Sequence, residues 1–114
     1  MKHEMKLRAV YFDKIKNGEK IYEIRLNDEK RQQIKIGDVL LFTKDTNLEE
    51  QLMVEVQDLI YFKNFDEMLN ILTVKKIGFE NMDKTAVKTI YHQFYSVTDE
   101  KEYGVVAIKV KVLH

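Results

Sequence analysis

Hydrophobic and polar residues alternate with a period of two over several stretches of the chain. Such alternation predicts half-buried β-strands, because successive side chains of a strand point to opposite faces. The strands predicted in this way cover residues 1–8, 21–26, 49–62 and 103–113. A further strand is predicted at Val39–Phe42, a run apolar enough to be buried on both faces.

Three other stretches carry apolar residues at helical spacing. The predicted helices cover residues 9–17, 64–72 and 83–94, the last capped by Asp83. Its residues Val87, Ile90, Tyr91 and Phe94 fall at i, i+3, i+4 and i+7, which is the clearest amphipathic stripe in the sequence. We therefore expect this helix to pack on the core.

The remaining segments predict turns and loops. Asp28 is placed to cap a short helical turn through Gln32, residues 73–81 are expected to form a loop, and the acidic residues at 99–102 a turn. Strands this few and this widely spaced do not fit a parallel βαβ array. The pattern predicts an α+β domain with a mostly antiparallel sheet, without deciding between a barrel and a sandwich.

Length and composition limit the class of protein. The 114 residues predict a single domain, 1–114. No apolar run approaches the roughly 20 residues of a membrane span, and no secretion signal is present, so we expect a cytoplasmic protein without membrane contact. The absence of cysteine excludes disulfides and thiolate catalysis, and three scattered histidines give no metal-ligand spacing. Neither a metal nor another cofactor is predicted.

The charge is balanced overall but unevenly distributed. The chain has 19 basic and 19 acidic residues, and a net charge of zero does not indicate tight non-specific binding to nucleic acid. Residues 1–44, however, hold 11 basic against seven acidic residues, and residues 45–114 hold eight against 12. This indicates at most a local basic patch, suited to a nucleoside or a short single strand. Scatter of solvated surface charges is the alternative.

Charged side chains cluster at the start of the second predicted strand. Gly18 is placed to end the first helix, because glycine takes the left-handed conformation without a Cβ penalty, and Lys20 follows it. Alternation along the strand puts Glu23 and Arg25 on one face, about 6–7 Å apart. A lysine acts as a general base only where burial or a neighbouring cation lowers its pKa. The alternative is a surface ion-pair cluster, worth about 0–1 kcal/mol per pair.

The pattern G-x-K-x-x-E-x-R at residues 18–25, followed by Lys-Ile-Gly-Asp at 35–38, resembles the ASCH (activating signal cointegrator homology) domain. The resemblance covers essentially the whole chain and is closest to small single-domain bacterial members. It implies a PUA-like fold, in which a small, mostly antiparallel β-barrel is flanked by two to three helices. PUA domains bind RNA, so the resemblance also implies that RNA or a modified nucleoside is the partner.

In ASCH proteins the matching residues face a cleft, and the resemblance implies a role for each. Arg25 or Lys20 would hold a phosphate or a base acceptor, and Glu23 would accept a hydrogen bond from an exocyclic amine. Tyr95 would stack on a base, an interaction that contributes roughly 1–3 kcal/mol to binding. Ser96 would form a hydrogen bond with a base edge. Packing of Tyr95 beneath its loop is the structural alternative.

A second resemblance implies an enzymatic function as an alternative. One ASCH branch is similar to bacterial amidohydrolases that remove the acetyl group of acetylcytidine with a lysine, a threonine and a glutamate, without metal. The lysine falls on Lys20 and the glutamate on Glu80, while Glu23 stands at the threonine position. This implies a hydrolase of acetylated cytidine or RNA, with Lys20 as base and Glu80 or Glu23 as its partner. A protein-interaction module is a third possibility, and the sequence does not predict the oligomeric state.

Overall fold

Five strands and four α-helices make up the fold, and the computed structural model describes all 114 residues. The strands are β1 (Lys2–Leu7), β2 (Tyr22–Leu26), β3 (Val39–Lys44), β4 (Asn47–Phe62) and β5 (Val105–Val112). The helices are α1 (Ala9–Lys16), α2 (Phe65–Ile71), α3 (Lys84–Phe94) and α4 (Val97–Tyr103), with a 3-10 turn at Arg31–Gln33. The predicted α+β class is confirmed, with four helices where two to three were expected.

The strands form one curled sheet in the order β1-β3-β4-β5-β2. Only the β1–β3 pair is parallel and the other three pairs are antiparallel, as the prediction of a mostly antiparallel sheet requires. The edge strands β1 and β2 share no backbone ladder, so the sheet is a half-barrel. We call the gap between β1 and β2 the seam.

The 16-residue strand β4 joins the two halves of the sheet. Its first half pairs with β3 and its second half with β5, and the register shifts between Val56 and Asp58. A bulge of this kind bends a strand and increases its twist. The bend allows one continuous strand to serve both halves of the curled sheet.

Two hydrophobic cores lie on opposite faces of the sheet. One packs against α1 and includes Phe12 and Phe42, and the other packs against α2 and α3 and includes Phe65. The central strand β5 contributes to both cores, with Val106 on the α1 side and Val105 on the other. Both faces of β5 are therefore buried over its first four residues.

Side-chain caps set the helix ends. Asp83 Oδ1 accepts a hydrogen bond from Ala86 N at 2.8 Å, as predicted. Asp28 Oδ1 accepts from Arg31 N at 3.0 Å and the Asp28 carbonyl accepts from Gln32 N at 2.9 Å, so Asp28 caps the turn that starts at residue 29, as predicted.

The predicted acidic turn at 99–102 is wrong, because this segment belongs to α4. Ser96 Oγ accepts from Asp99 N at 3.0 Å and caps the helix. Glu100 is buried on the next turn, where its Oε2 accepts from Phe65 N at 2.8 Å. The Ser96 cap and the buried contact of Glu100 with the start of α2 stabilise a helix here instead of a turn.

The Lys-Ile-Gly-Asp turn at 35–38 ties β1 to β3. The Asp38 carboxylate lies 2.8 Å from His3 Nε2 and 3.1 Å from the amino group of Met1, and it accepts from Lys35 N at 3.0 Å. The hydrogen bond with His3, then that with Lys35, lower the pKa of Asp38 to about 2. This part of the sequence pattern therefore has a structural role in the fold.

Candidate functional site

A cavity of about 140 Å³ lies at the seam, between the end of β1, α1, β2, α3 and residues 77–79. Its buried charged residues, Lys20 and Glu23, form what we call the floor. Its exposed residues, Lys6, Arg8 and Phe94, form what we call the mouth. Predicted site residues from β2 therefore converge with residues from the start of the chain and from α3.

Lys20 is 4% exposed, and all three of its ammonium protons have acceptors. Its Nζ donates to the carbonyl of Tyr22 at 2.7 Å and to that of Ile77 at 2.8 Å, and it lies 3.3 Å from Glu23 Oε1. Gly18 ends α1 with φ +86°, so the chain reverses and delivers Lys20 to the cavity. This geometry fixes the position of the Lys20 amino group at the floor.

Glu23 and Arg25 share one face of β2, as predicted. They lie opposite Ile108 and Val106 of β5, and Arg25 Nε donates to Glu23 Oε2 at 2.7 Å. Arg25 Nη2 also donates across the seam to the carbonyl of Lys6 at 3.3 Å. The arginine thus bridges the two edge strands where no backbone ladder does, and its Nη1 remains without a protein partner.

Burial and ion pairing oppose each other at the floor. Burial lowers the pKa of Lys20, and Glu23 only partly offsets this, so the net direction is downward. Burial alone would raise the pKa of Glu23, but Lys20 and Arg25 together outweigh it and lower the pKa. Glu23 is therefore an ionised carboxylate in a largely apolar cavity, able to accept further hydrogen bonds.

Aromatic rings form much of the cavity wall. Tyr11 from α1 packs edge-on against Phe79, with ring centroids 5.7 Å apart. Tyr95 at the end of α3 lines the cavity and stacks on Phe65 at 5.9 Å. The guanidinium of Arg8 lies over the Phe94 ring, 4.6 Å from its centroid. Tyr95 therefore lines the cavity and also packs against the core, so the structure shows both arrangements that the sequence left open for this residue.

Two predicted site residues lie outside the cavity. Ser96 is exposed, and its hydroxyl caps α4. Glu80 is also exposed, in the bend that follows Phe79, and it is absent from the cavity wall. The structure brings Lys20, Glu23, Arg25 and Tyr95 together and leaves these two apart.

Sequence reasoning missed Arg8, Tyr11 and Phe94. Arg8 precedes α1, Tyr11 follows one turn later, and Phe94 belongs to the amphipathic stripe that predicted core packing. The spacing of Arg8 and Tyr11 on one helix face was the only local signal, and it fits ordinary surface exposure equally well.

A family model for the ASCH domain matches residues 5–114. The chain belongs to the ASCH family. The crystal structure of the hypothetical protein PH0355 resembles it with a TM-score of 0.89 and 37% identity, over 99% of this chain and 100% of that one. The solution NMR structure of protein PF0455 from Pyrococcus furiosus has a TM-score of 0.79 and 33% identity, over 100% and 99% of the two chains. No curated protein matches the chain.

The comparisons confirm the PUA-like ASCH fold, a fold often associated with RNA binding. Two further observations on this ASCH protein concern metal ligands and membrane-spanning helices. The side chains form no group of three or more histidines and acids placed to hold a metal. None of the four helices has the length and hydrophobicity that crossing a membrane requires.

Proposed function

We propose that this ASCH protein binds RNA or a modified nucleoside by inserting one base into the cavity at the seam. The observation that carries the proposal is the buried carboxylate of Glu23, fixed between Lys20 and Arg25 in a cavity with aromatic walls. A buried charge is costly unless it is paired, so its place in a cavity indicates a ligand-binding role as well as a structural one.

The size of the cavity favours a single ring. A cavity of about 150 Å³ in another protein takes up one benzene molecule, and the cavity here measures about 140 Å³. A pyrimidine base fits this space, while the sugar would lie towards the mouth. We therefore expect pyrimidine nucleosides to bind more tightly than purine nucleosides.

The hydrogen-bonding groups at the floor favour a base with an amino group. Each Glu23 oxygen has one cationic partner and a lone pair to spare, so the carboxylate can accept from an exocyclic amine. Arg25 Nη1 can donate to a ring nitrogen or carbonyl beside that amine. Cytosine presents this combination, whereas uracil places a carbonyl oxygen where the amine is required.

Phe94 tests the proposal because it is an exposed aromatic residue of the mouth. We expect Phe94→Ala to weaken binding of cytidine and of short single-stranded RNA about tenfold, because the entering nucleoside loses an apolar ring beside which it would be buried. Tyr61→Ala is the matched control, since Phe94 is 50% exposed and Tyr61, outside the cavity, is 57% exposed. Calorimetric titration of both variants measures the difference. Equal affinities, or uridine binding better than cytidine, would count against this cavity.

An amidohydrolase is the second candidate function. It is supported by the position of the Lys20 amine in the cavity, where burial lowers its pKa, next to Glu23. Lys20 would have to lose a proton to act as base, and Glu23 would be its partner because Glu80 lies outside. Incubation of acetylcytidine with the protein and with Lys20→Ala, followed by chromatography for cytidine, tests this function. No cytidine from the parent protein excludes it.

A further inference from the structure

We propose that the mouth is a phosphate subsite, formed by Arg8 and Lys6 with Arg25 behind them. The natural ligand would then be a nucleotide unit, free or within RNA, rather than an uncharged nucleoside. The inference rests on the proposed insertion of a base into the cavity. The four observations that carry it are the charge imbalance of the lining, the absence of ion pairs at the mouth cations, the position of Arg8 beside Phe94 and the continuity from mouth to floor.

The lining carries a large excess of positive charge. Four cationic side chains, Lys6, Arg8, Lys20 and Arg25, face the cavity together with one carboxylate, Glu23. The chain as a whole has a net charge of zero, so this excess is local. A cavity with low-dielectric walls concentrates such a potential and attracts an anion.

The two mouth cations are available to a ligand. Lys6 and Arg8 are exposed, and neither has a carboxylate within salt-bridge distance. Lys44, by contrast, lies 2.9 Å from Asp13 and 3.3 Å from Glu50. An anion at the mouth would therefore not need to displace an existing ion pair.

Arg8 lies beside an aromatic ring at the mouth. Its guanidinium carbon is 4.6 Å from the centroid of the Phe94 ring, which is a cation–π distance. The N–H groups at the edge of the guanidinium remain free, and an arginine fork matches two phosphate oxygens. Arg25 Nη1 carries two N–H groups, so it can donate to this anion as well as to the base. The bond from Arg25 Nη2 to the Lys6 carbonyl holds Arg25 and Lys6 next to each other.

Tyr11 connects the mouth with the floor. Its ring centroid lies 5.6 Å from Lys20 Nζ at the floor. Tyr11 also lines the same cavity as Arg8 at the mouth and Glu23 at the floor. A base at Glu23 and an anion at Arg8 can consequently belong to one ligand, as they do in a nucleotide.

The test compares ligands that differ only in phosphate. Calorimetry would measure the affinities of cytidine, cytidine 5′-monophosphate, cytidine 3′-monophosphate and inorganic phosphate. We expect one of the two monophosphates to bind about tenfold or more tightly than cytidine, because charge-assisted hydrogen bonds are added. We expect inorganic phosphate alone to bind far more weakly. Inorganic phosphate binding as tightly as the nucleotide would overturn the assignment to a nucleotide.

Substitutions of the mouth residues test whether Arg8 and Lys6 cause the higher affinity of the monophosphate. We expect Arg8→Ala and Lys6→Ala each to reduce the advantage of the monophosphate while changing cytidine affinity less than about threefold. Arg8→Lys should keep part of the advantage, since it keeps the charge but loses the fork. Lys111→Ala removes an exposed cation outside the cavity and serves as the control.

The possible failures can be distinguished. If cytidine binds and both monophosphates bind no better, the phosphate subsite is wrong and the proposed function stands. An advantage that survives in the double variant Lys6→Ala/Arg8→Ala would also overturn the subsite. If neither cytidine, its monophosphates nor short RNA binds, the proposed function is wrong and this inference falls with it.

Discussion

Lys20 and Glu23 differ from a surface ion pair because the protein buries both side chains. Lys20 and Glu23 have side chains only 3% and 7% exposed, and they lie 3.3 Å apart. An exposed ion pair stabilises the folded state by about 0–1 kcal/mol. Removing one partner of a buried pair instead leaves the other charge buried without a counter-charge. The sequence left these two cases open, and burial decides between them.

Glu23→Ala tests this difference in free energy of unfolding. We expect a loss of about 3–5 kcal/mol, because Lys20 and Arg25 would share the cavity without a carboxylate. Glu50→Ala is the control, since Glu50 pairs with Lys44 and Lys16 at a more exposed site and should cost about 0–1 kcal/mol. Urea denaturation of both variants measures the two losses. A Glu23 loss no larger than that of Glu50 would show that the pair is effectively solvated.

The loop between α2 and α3 organises the site although it has no regular secondary structure. The carbonyl of Lys76 accepts from Ile21 N at 2.9 Å and from Tyr22 N at 3.1 Å, which attaches the loop to the start of β2. The carbonyl of Ile77 binds Lys20, and Phe79 contributes to the cavity wall. The sequence predicted a loop here, but its role as the support of Lys20 appears only in the structure.

Gly78 allows that loop to approach Lys20. A Cβ at this position would lie 2.8 Å from Lys20 Cδ, and φ is +107°. We expect Gly78→Ala to displace Lys20 and to weaken cytidine binding about tenfold or more, since small displacements of positioning groups have large effects. Stability should also fall, by about 1–3 kcal/mol from the backbone conformation alone.

Gly18→Ala is the matched control for Gly78. Its φ is +86°, but a Cβ there would meet no atom within 4 Å. The same backbone cost of about 1–3 kcal/mol applies, without contact with the site. Thermal unfolding of both variants measures the cost of the strained backbone. Titration with cytidine measures the effect of displacing Lys20, which only Gly78→Ala should show. Equal binding by the two variants would mean that Gly78 does not position Lys20.

At the scale of the whole molecule, the open seam creates the site. The half-barrel leaves β1 and β2 without a ladder to each other, and the cavity lies between them with Arg25 as the bridge. A closed ladder would fill this gap with backbone hydrogen bonds. Four of the 11 basic residues in residues 1–44 line this one opening, in a protein whose net charge is zero.

This distribution of charge predicts a shallow salt dependence of RNA binding. Three cations, Lys6, Arg8 and Arg25, lie where phosphates would contact them, and each single-strand contact contributes a slope of about −0.7. We expect the logarithm of the affinity for short RNA to fall with the logarithm of salt concentration at a slope of about −2. Fluorescence anisotropy over a salt series measures it. A slope steeper than about −4 would indicate a wide basic surface instead of one mouth.

Much of the fold was predictable because its signals are local. Alternation located the strands, helical spacing and caps located three helices, and α4 was missed because its acidic residues are also typical of a turn. Of the candidate site, Lys20, Glu23, Arg25 and Tyr95 were predicted on a single cleft and do line the cavity. Glu80 and Ser96, both assigned from the family resemblance, do not line it, and the Ser96 hydroxyl is used to cap α4.

The sequence by itself determined which elements form and that Glu23 and Arg25 share one strand face, since backbone geometry fixes the two-residue period within a strand. Only the tertiary structure decided that Lys20 is buried, because its acceptor on Ile77 lies 57 residues away along the chain. It likewise decided that Arg8 and Phe94 form one mouth. Such contacts depend on how the sheet curls and where its ladder stops, and these are properties of the assembled strands rather than of any one segment.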